Sequence, residues 1–319
     1  MIAVDARFTG NHGIARYARE VTGRLTVPWT ALPGSRNPAS VQGLLDGWKL
    51  PPGTRMVYSP GFNVVATKAP QVVTIHDLIH LGGSGPQPLA YRVYYESVIK
   101  PRIRSAGTVL TVSRTSALEL RKWLGRSSVE IVNTGNGCSP VFTPTGKAHT
   151  GDRPYFLYVG NTRRHKNVDV ILHALARVPE AELLVVSGEV GGFTRLFQTA
   201  GVAGRSTVLS SVPDSYLAEL YRGAVATLFP STREGFGLPA VESLSCGTPV
   251  LYWRGCASVH EICDGYGLAL REANDPAEWT RLMQGMLRRA RSRVDFDTAR
   301  YSWNRVADTV NEVLDAYRC

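Results

Sequence analysis

Two carboxylates and a basic loop carry most of the chemistry this sequence offers. Glu234 and Glu242 bracket part of the segment FPSTREGFGLPAVESLSCG, residues 229–247, with seven residues between them. Gly235 and Gly237 allow a tight turn with bare backbone, Pro239 suits a first helical position and Gly247 a helix end. The spacing therefore predicts a loop feeding a helix N-terminus, with Glu242 about one turn inside. Exposed N–H groups and the positive helix end suit a phosphate or anionic leaving group, and carboxylates accept hydrogen bonds from sugar hydroxyls.

A second segment, YVGNTRRHKNVDVILHAL at residues 158–175, reads as a strand ending at Gly160, then a basic loop, then a helix. Arg163, Arg164 and Lys166 stand where cations can face a diphosphate. In the first half, QVVTI ends in His76-Asp77, and MIAVD ends in the loop RFTGNHG, with Gly10, His12 and Gly13, ahead of a helix beginning near Ile14.

These loops need strands and helices to hold them. Runs such as MIAVD, RMVYS, QVVTI, GTVLTV, YFLYV, ELLVVS, TVLSS, VATLF and PVLYW lack polar alternation, as strands buried on both faces do. Helical spacing between them, as at 167–177 and 215–222, gives repeated βαβ units: an α/β fold with two doubly wound parallel sheets. PVFTPTGKAHTGDRP, residues 140–154, reads as the linker, dividing residues 1–145 from 146–319. A final helix around residues 303–317 has one apolar face to bury, on either domain.

The 319 residues are 44% apolar and 19% charged, as in a globular protein of two domains. Residues 1–150 carry 17 Lys and Arg against 7 Asp and Glu, residues 151–319 carry 19 against 19, and all of the +10 net charge therefore lies in the first half. That asymmetry points the first half at an anionic partner. Cys138, Cys246, Cys256, Cys263 and Cys319 form an odd, scattered set without a C-x-x-C pair and read as reduced structural thiols. The N-terminus lacks a secretory pattern, which places the expectation in the cytoplasm.

The E-x7-E pattern in EGFGLPAVE, followed by SLSCGTPV, resembles the nucleotide-sugar site of family-four retaining glycosyltransferases of the GT-B fold, in which two Rossmann-like domains face across a cleft. The resemblance implies an N-terminal acceptor domain and a C-terminal donor domain. It implies that Glu234 contacts donor-sugar hydroxyls, Glu242 the ribose, and the Gly235-Phe236-Gly237-Leu238 turn the donor. Lys166 and Arg164, with Arg163 as the alternative arginine, would neutralise the diphosphate beside Gly160. Gly10 and Gly13 would bring backbone N–H groups to the donor phosphate, and His76 in TIHDL would touch the donor sugar. Asn161 departs from the arginine many members carry. Ser113, Asn136 and Gly137 also resemble cleft-lining positions.

The implied reaction is retaining transfer of a hexose-type sugar from a nucleoside diphosphate sugar to a saccharide, natural-product or lipid-linked acceptor, without metal or other cofactor. Asp295-Phe296-Asp297 fits a metal-binding D-x-D pattern, but it follows no buried strand, and Asp297 reads as a cap of the final helix. Residues 91–104, YRVYYESVIKPRIR, with Arg92 and Tyr95, suit an acceptor or an anionic membrane surface, with Pro101 interrupting the helix. The rival readings are a nucleotide-sugar epimerase or hydrolase on the same fold and a non-catalytic sugar-nucleotide-binding protein. No nucleic-acid-binding motif is present.

Overall fold

The computed structural model describes residues 1–10, 12–34, 41–82, 86–289 and 293–317. They form two compact units, one made of Met1–Gly137 with Arg300–Cys319 and the other of Cys138–Ala299.

In the first unit, strands and helices alternate as β1 (Ile2–Val4), α1 (Gly13–Thr22), β2 (Trp29–Ala31), α2 (Val41–Leu44), β3 (Met56–Ser59), β4 (Gln71–Val73), α3 (Pro86–Tyr94), α4 (Lys100–Ala106), β5 (Thr108–Thr111), α5 (Arg114–Leu124) and β6 (Glu130–Asn133). The sheet runs β2-β1-β3-β4, and the pair β5-β6 joins it through a Thr74–Leu110 bridge, with all pairings parallel. Chain order reverses between β1 and β3, and open α/β sheets bind ligands outside the carboxyl ends of strands at such a point. Val73, Ile75, Tyr95, Ile99, Val109 and Leu120 form much of its core.

The second unit comprises β7 (Tyr155–Val159), α6 (Val168–Leu175), β8 (Glu182–Val186), α7 (Val190–Thr199), β9 (Ser206–Leu209), α8 (Asp214–Gly223), β10 (Thr227–Phe229), α9 (Leu238–Ser245), β11 (Val250–Trp253), α10 (Ala257–Cys263), β12 (Leu268–Leu270) and α11 (Pro276–Arg288). Its parallel sheet runs β12-β11-β10-β7-β8-β9 and reverses between β7 and β10. Along β7 the side chains alternate between two cores. Phe156 and Tyr158 pack with Ile171, Phe193 and Trp279, while Tyr155 and Leu157 pack with Leu217 and Tyr221. Helices thus cover both faces, which explains the unbroken apolar strand.

The last helix, α12 (Trp303–Asp315), packs on α1 in the first unit. Asn311, 8% exposed, accepts from Thr26 N at 2.9 Å and donates to the Arg24 carbonyl at 3.3 Å. Gly137 leaves room for the Trp303 ring, since a Cβ there would stand 2.2 Å from it.

Three local expectations change. The compact units divide at residue 137/138 rather than 145/146, because Phe142 packs edge-on against Tyr221 and Arg222 binds the carbonyls of Thr143 and Lys147. Pro101 does not break its helix: a π-turn at Tyr95–Ile99 joins α3 to α4 and absorbs the missing N–H within a continuous helical run. Asp297 accepts from Ala299 N at 2.9 Å in a separate short turn, while Ser302 caps α12.

Candidate active site

At the reversal point of the second sheet, the loops after β7 and β10 meet. Gly160 follows β7, and a Cβ on it would stand 2.8 Å from the Tyr158 hydroxyl, which donates to the Asn161 carbonyl at 2.8 Å. A short 3-10 turn, Arg164–Lys166, leads to Asn167 in the left-handed conformation (φ 50°), whose amide donates to the Ala273 carbonyl. Thr232 N donates to the His165 carbonyl at 2.7 Å and ties the two loops together.

Across this tie, Lys166 Nζ donates to Glu234 Oε1 at 2.6 Å, with the two side chains 16% and 13% exposed. The Phe229 ring lies 6.0 Å from the ammonium, and Ser258 fixes the Glu234 backbone by donating to its carbonyl at 2.8 Å. Burial first, and the Glu234 charge second, push the Cys256 thiol up to about 12, so it stays protonated. Cys138, Cys246, Cys256 and Cys263 form no disulfide, and Cys319 lies outside the described residues.

Gly235 and Phe236 lead to Gly237, whose φ of +120° precedes α9 and favours glycine. Leu238 is the first residue of that helix, so Pro239 occupies the second position rather than the first. Glu242 is 4% exposed and accepts from the Tyr221 hydroxyl at 3.0 Å. Ser243 anchors the helix to β10 through Thr227 at 2.7 Å.

Arg163 and Arg164 are both exposed, and among the described residues neither guanidinium has a hydrogen-bond partner. Glu189 accepts from Thr162 Oγ1 at 2.6 Å and Thr162 N at 2.9 Å. Those bonds, with Arg163 contributing, hold its carboxyl below the usual range. The structure thus joins Lys166 to Glu234 and leaves both arginines on the exposed side of the loop.

In the first unit, Gly10 has φ +109°, and Gly13 begins α1. His12 caps this helix by accepting from Ala15 N at 3.3 Å, while Asn11 lies outside the described residues. His76 Nε2 bonds the Pro60 carbonyl at 3.0 Å, and its ring stands edge-on to Tyr17 at 4.9 Å. A carbonyl can only accept, so Nε2 carries the proton; burial lowers the imidazole pKa, and the neutral ring presents Nδ1 as an acceptor. Ser113 caps α5, and Asn136 accepts from Gly137 N. Tyr95 is completely buried in the core, not on the outer face of its helix, whereas Arg92 is exposed and donates to the Leu81 carbonyl at 2.6 Å. Among the described residues, no His, Cys, Asp and Glu side chains group with the geometry of a metal site.

Sequence reasoning missed one feature beside β1. Arg7 Nε and Nη2 hold both oxygens of Asp5 at 2.7 and 2.8 Å, and Nη1 reaches Asp46 at 2.8 Å. The only signal in the sequence was charge close to a strand end, since Asp46 lies far along the chain.

An open parallel sheet with a cationic loop and a carboxylate-bearing turn at its reversal point defines an α/β protein of the class whose ligands bind outside the carboxyl ends of the strands. The family described as Glycosyl transferases group 1 matches residues 144–303, half of the chain, and the chain belongs to that family. The D-inositol 3-phosphate glycosyltransferase of Mycolicibacterium smegmatis is 31% identical over 210 residues, covering 60% of this chain and 48% of that protein. O-antigen chain mannosyltransferase B of Escherichia coli is 29% identical over 227 residues, covering 66% and 58%. The chain spans about half the length of the curated relatives it matches. Among solved structures, WaaG, a glycosyltransferase involved in lipopolysaccharide biosynthesis, matches with a TM-score of 0.67 at 17% identity over 99% of this chain and 96% of that one. The fold is therefore that of the GT-B glycosyltransferases.

Proposed function

We propose that this chain transfers a hexose-type sugar from a nucleoside diphosphate sugar to an acceptor hydroxyl, with retention at the anomeric carbon and without a metal. The observation that carries the reading is the Lys166–Glu234 pair, set beside the N-terminus of α9 at the reversal point of the second sheet. In this reading Glu242 holds the ribose, and Glu234 accepts from sugar hydroxyls. The bond from the anomeric carbon to the diphosphate breaks with its electrons passing to the leaving oxygen. Lys166, Arg164 or Arg163, and the helix end stabilise that charge, a kind of fixed electrostatic help worth several kcal/mol. The acceptor oxygen attacks from the same face and its proton passes to the leaving phosphate.

The relatives' names supply the first acceptors to try, an inositol phosphate and an O-antigen chain, and mannose as one sugar to transfer. A peripheral place at the cytoplasmic membrane face, with a lipid-linked acceptor, draws support from Leu89 and Val93, each 59% exposed on α3 beside Arg92. Among the described residues, no helix is long and apolar enough to cross a membrane.

The test is release of nucleoside diphosphate from UDP-glucose, GDP-mannose, ADP-glucose and dTDP-glucose, with EDTA, in the presence and absence of these acceptors. Acceptor-dependent release with retained anomeric configuration in the product is expected. Equal turnover without acceptor would favour the epimerase or hydrolase reading.

A further inference from the structure

The loops that hold Lys166 and Glu234 are fixed independently of the ion pair. Thr232 binds His165, Ser258 binds the Glu234 carbonyl, and Asn167 binds the Ala273 carbonyl. The two charged ends therefore meet at 2.6 Å because the backbone delivers them there. Among the described residues, the Glu234 carboxylate has no hydrogen-bond partner but Lys166, and the ammonium none but Glu234. Tyr158 could offer a nearby hydroxyl, but it already donates to the Asn161 carbonyl. Each charge thus depends on the other while both sit largely out of water, where an unpaired charge is costly.

Resting on the sugar-nucleotide reading above, we infer that the Lys166–Glu234 pair makes the site select the intact nucleotide sugar over the sugar-free nucleoside diphosphate. A diphosphate draws Lys166 away and leaves Glu234 mostly buried, without a donor and close to added negative charge. An intact nucleotide sugar makes the same demand on Lys166 but brings hydroxyls that donate to Glu234, so both charges exchange partners together. After transfer the sugar is gone, Glu234 recaptures Lys166, and the diphosphate is released. Glu234 is then a specificity-determining residue that weakens product binding as well as a sugar contact.

The experiment is calorimetric titration of UDP, GDP, ADP and dTDP into the wild type and the Glu234→Gln, Glu234→Asp and Lys166→Met variants, each checked for folding by circular dichroism. Gln keeps the shape and removes the charge that competes for Lys166, so Glu234→Gln should bind the preferred diphosphate about tenfold more tightly than the wild type. Glu234→Asp keeps the charge and should stay within a few-fold of the wild type, so tightening is specific to charge removal. Lys166→Met should bind more weakly than any of them. Unchanged or weaker binding by folded Glu234→Gln, while the wild type binds a diphosphate, overturns the inference and leaves the sugar-nucleotide reading standing. Should Glu234→Gln not fold, binding by Glu234→Asp about tenfold tighter than the wild type overturns it, and wild-type-like affinity there supports it. A wild type that binds none of the four removes the donor reading and this inference with it.

Discussion

Two charge networks in this molecule are built differently. Beside β1, Arg7 is 7% exposed and holds Asp5 and Asp46, whose side chains are 2% and 1% exposed, through three bonds of 2.7–2.8 Å. Beside β7 and β10, Lys166 and Glu234 share one bond, and each keeps part of its surface in water. The first network, which Lys49 Nζ joins at 3.5 Å from Asp46, is buried and fixes the turn after β1 to the segment near Asp46. The second can exchange partners. A closed set of charges marks architecture, and an economical, accessible pair marks a place where something else can bind.

The largest expected effect follows from the closed set. Arg7→Met takes the guanidinium from two buried carboxylates, leaving Asp46 only Lys49 Nζ at 3.5 Å, and should cost about 3–5 kcal/mol in urea unfolding. A loss below about 1 kcal/mol would show that this network is as open as the other. Lys166→Met should lower turnover by about 10²–10³-fold, and should cost less in unfolding free energy than Arg7→Met because it strips one partly exposed carboxylate rather than two fully buried ones. Gly137→Ala drives a Cβ into the Trp303 ring and should cost about 1–3 kcal/mol in thermal unfolding, reporting how firmly α12 is seated.

A pH series separates the two units further. Burial holds His76 below its unfolded value of about 6.5, so the unfolded chain takes up this proton first as pH falls. Its contribution to stability is present above that unfolded value and is lost as pH falls below it. His76→Gln should flatten the melting temperature's dependence on pH over that window. An unchanged dependence would remove His76 as a buried neutral ring. The smallest effect is on stability at the outer helix, where Leu89→Ser with Val93→Ser should stay within about 0.5 kcal/mol of the wild type. The same double variant should lose flotation with anionic liposomes at low salt; undiminished flotation would place membrane contact elsewhere.

Much of the fold was legible because the buried strands are short β-branched runs such as QVVTI and YFLYV, and their alternation with helices dictates parallel sheets. Trp29–Ala31, Glu130–Asn133 and Leu268–Leu270 were not legible, since their partial exposure breaks the apolar run. Lys166, Glu234 and Glu242 could be singled out by residue type beside glycine turns. Their partners could not: the Tyr221 hydroxyl on Glu242 and the contact of Lys166 with Glu234 arise only when distant loops converge. Arg7 and Asp46 show the same limit at 39 residues' separation. Pro101 shows a different one, because a proline signals a missing donor without saying whether the chain breaks or shifts to a π-turn.

The proposed function requires the reversal point of the second sheet to hold a nucleoside diphosphate. Its most direct test is a thermal-shift series with UDP, GDP, ADP and dTDP, with and without EDTA, on the wild type and folded Glu242→Gln and Lys166→Met variants. At least one diphosphate should raise the wild-type melting temperature by mass action, EDTA should leave the shift intact, and both variants should reduce it. No shift with any of the four, or an equal shift in all three proteins, would contradict it.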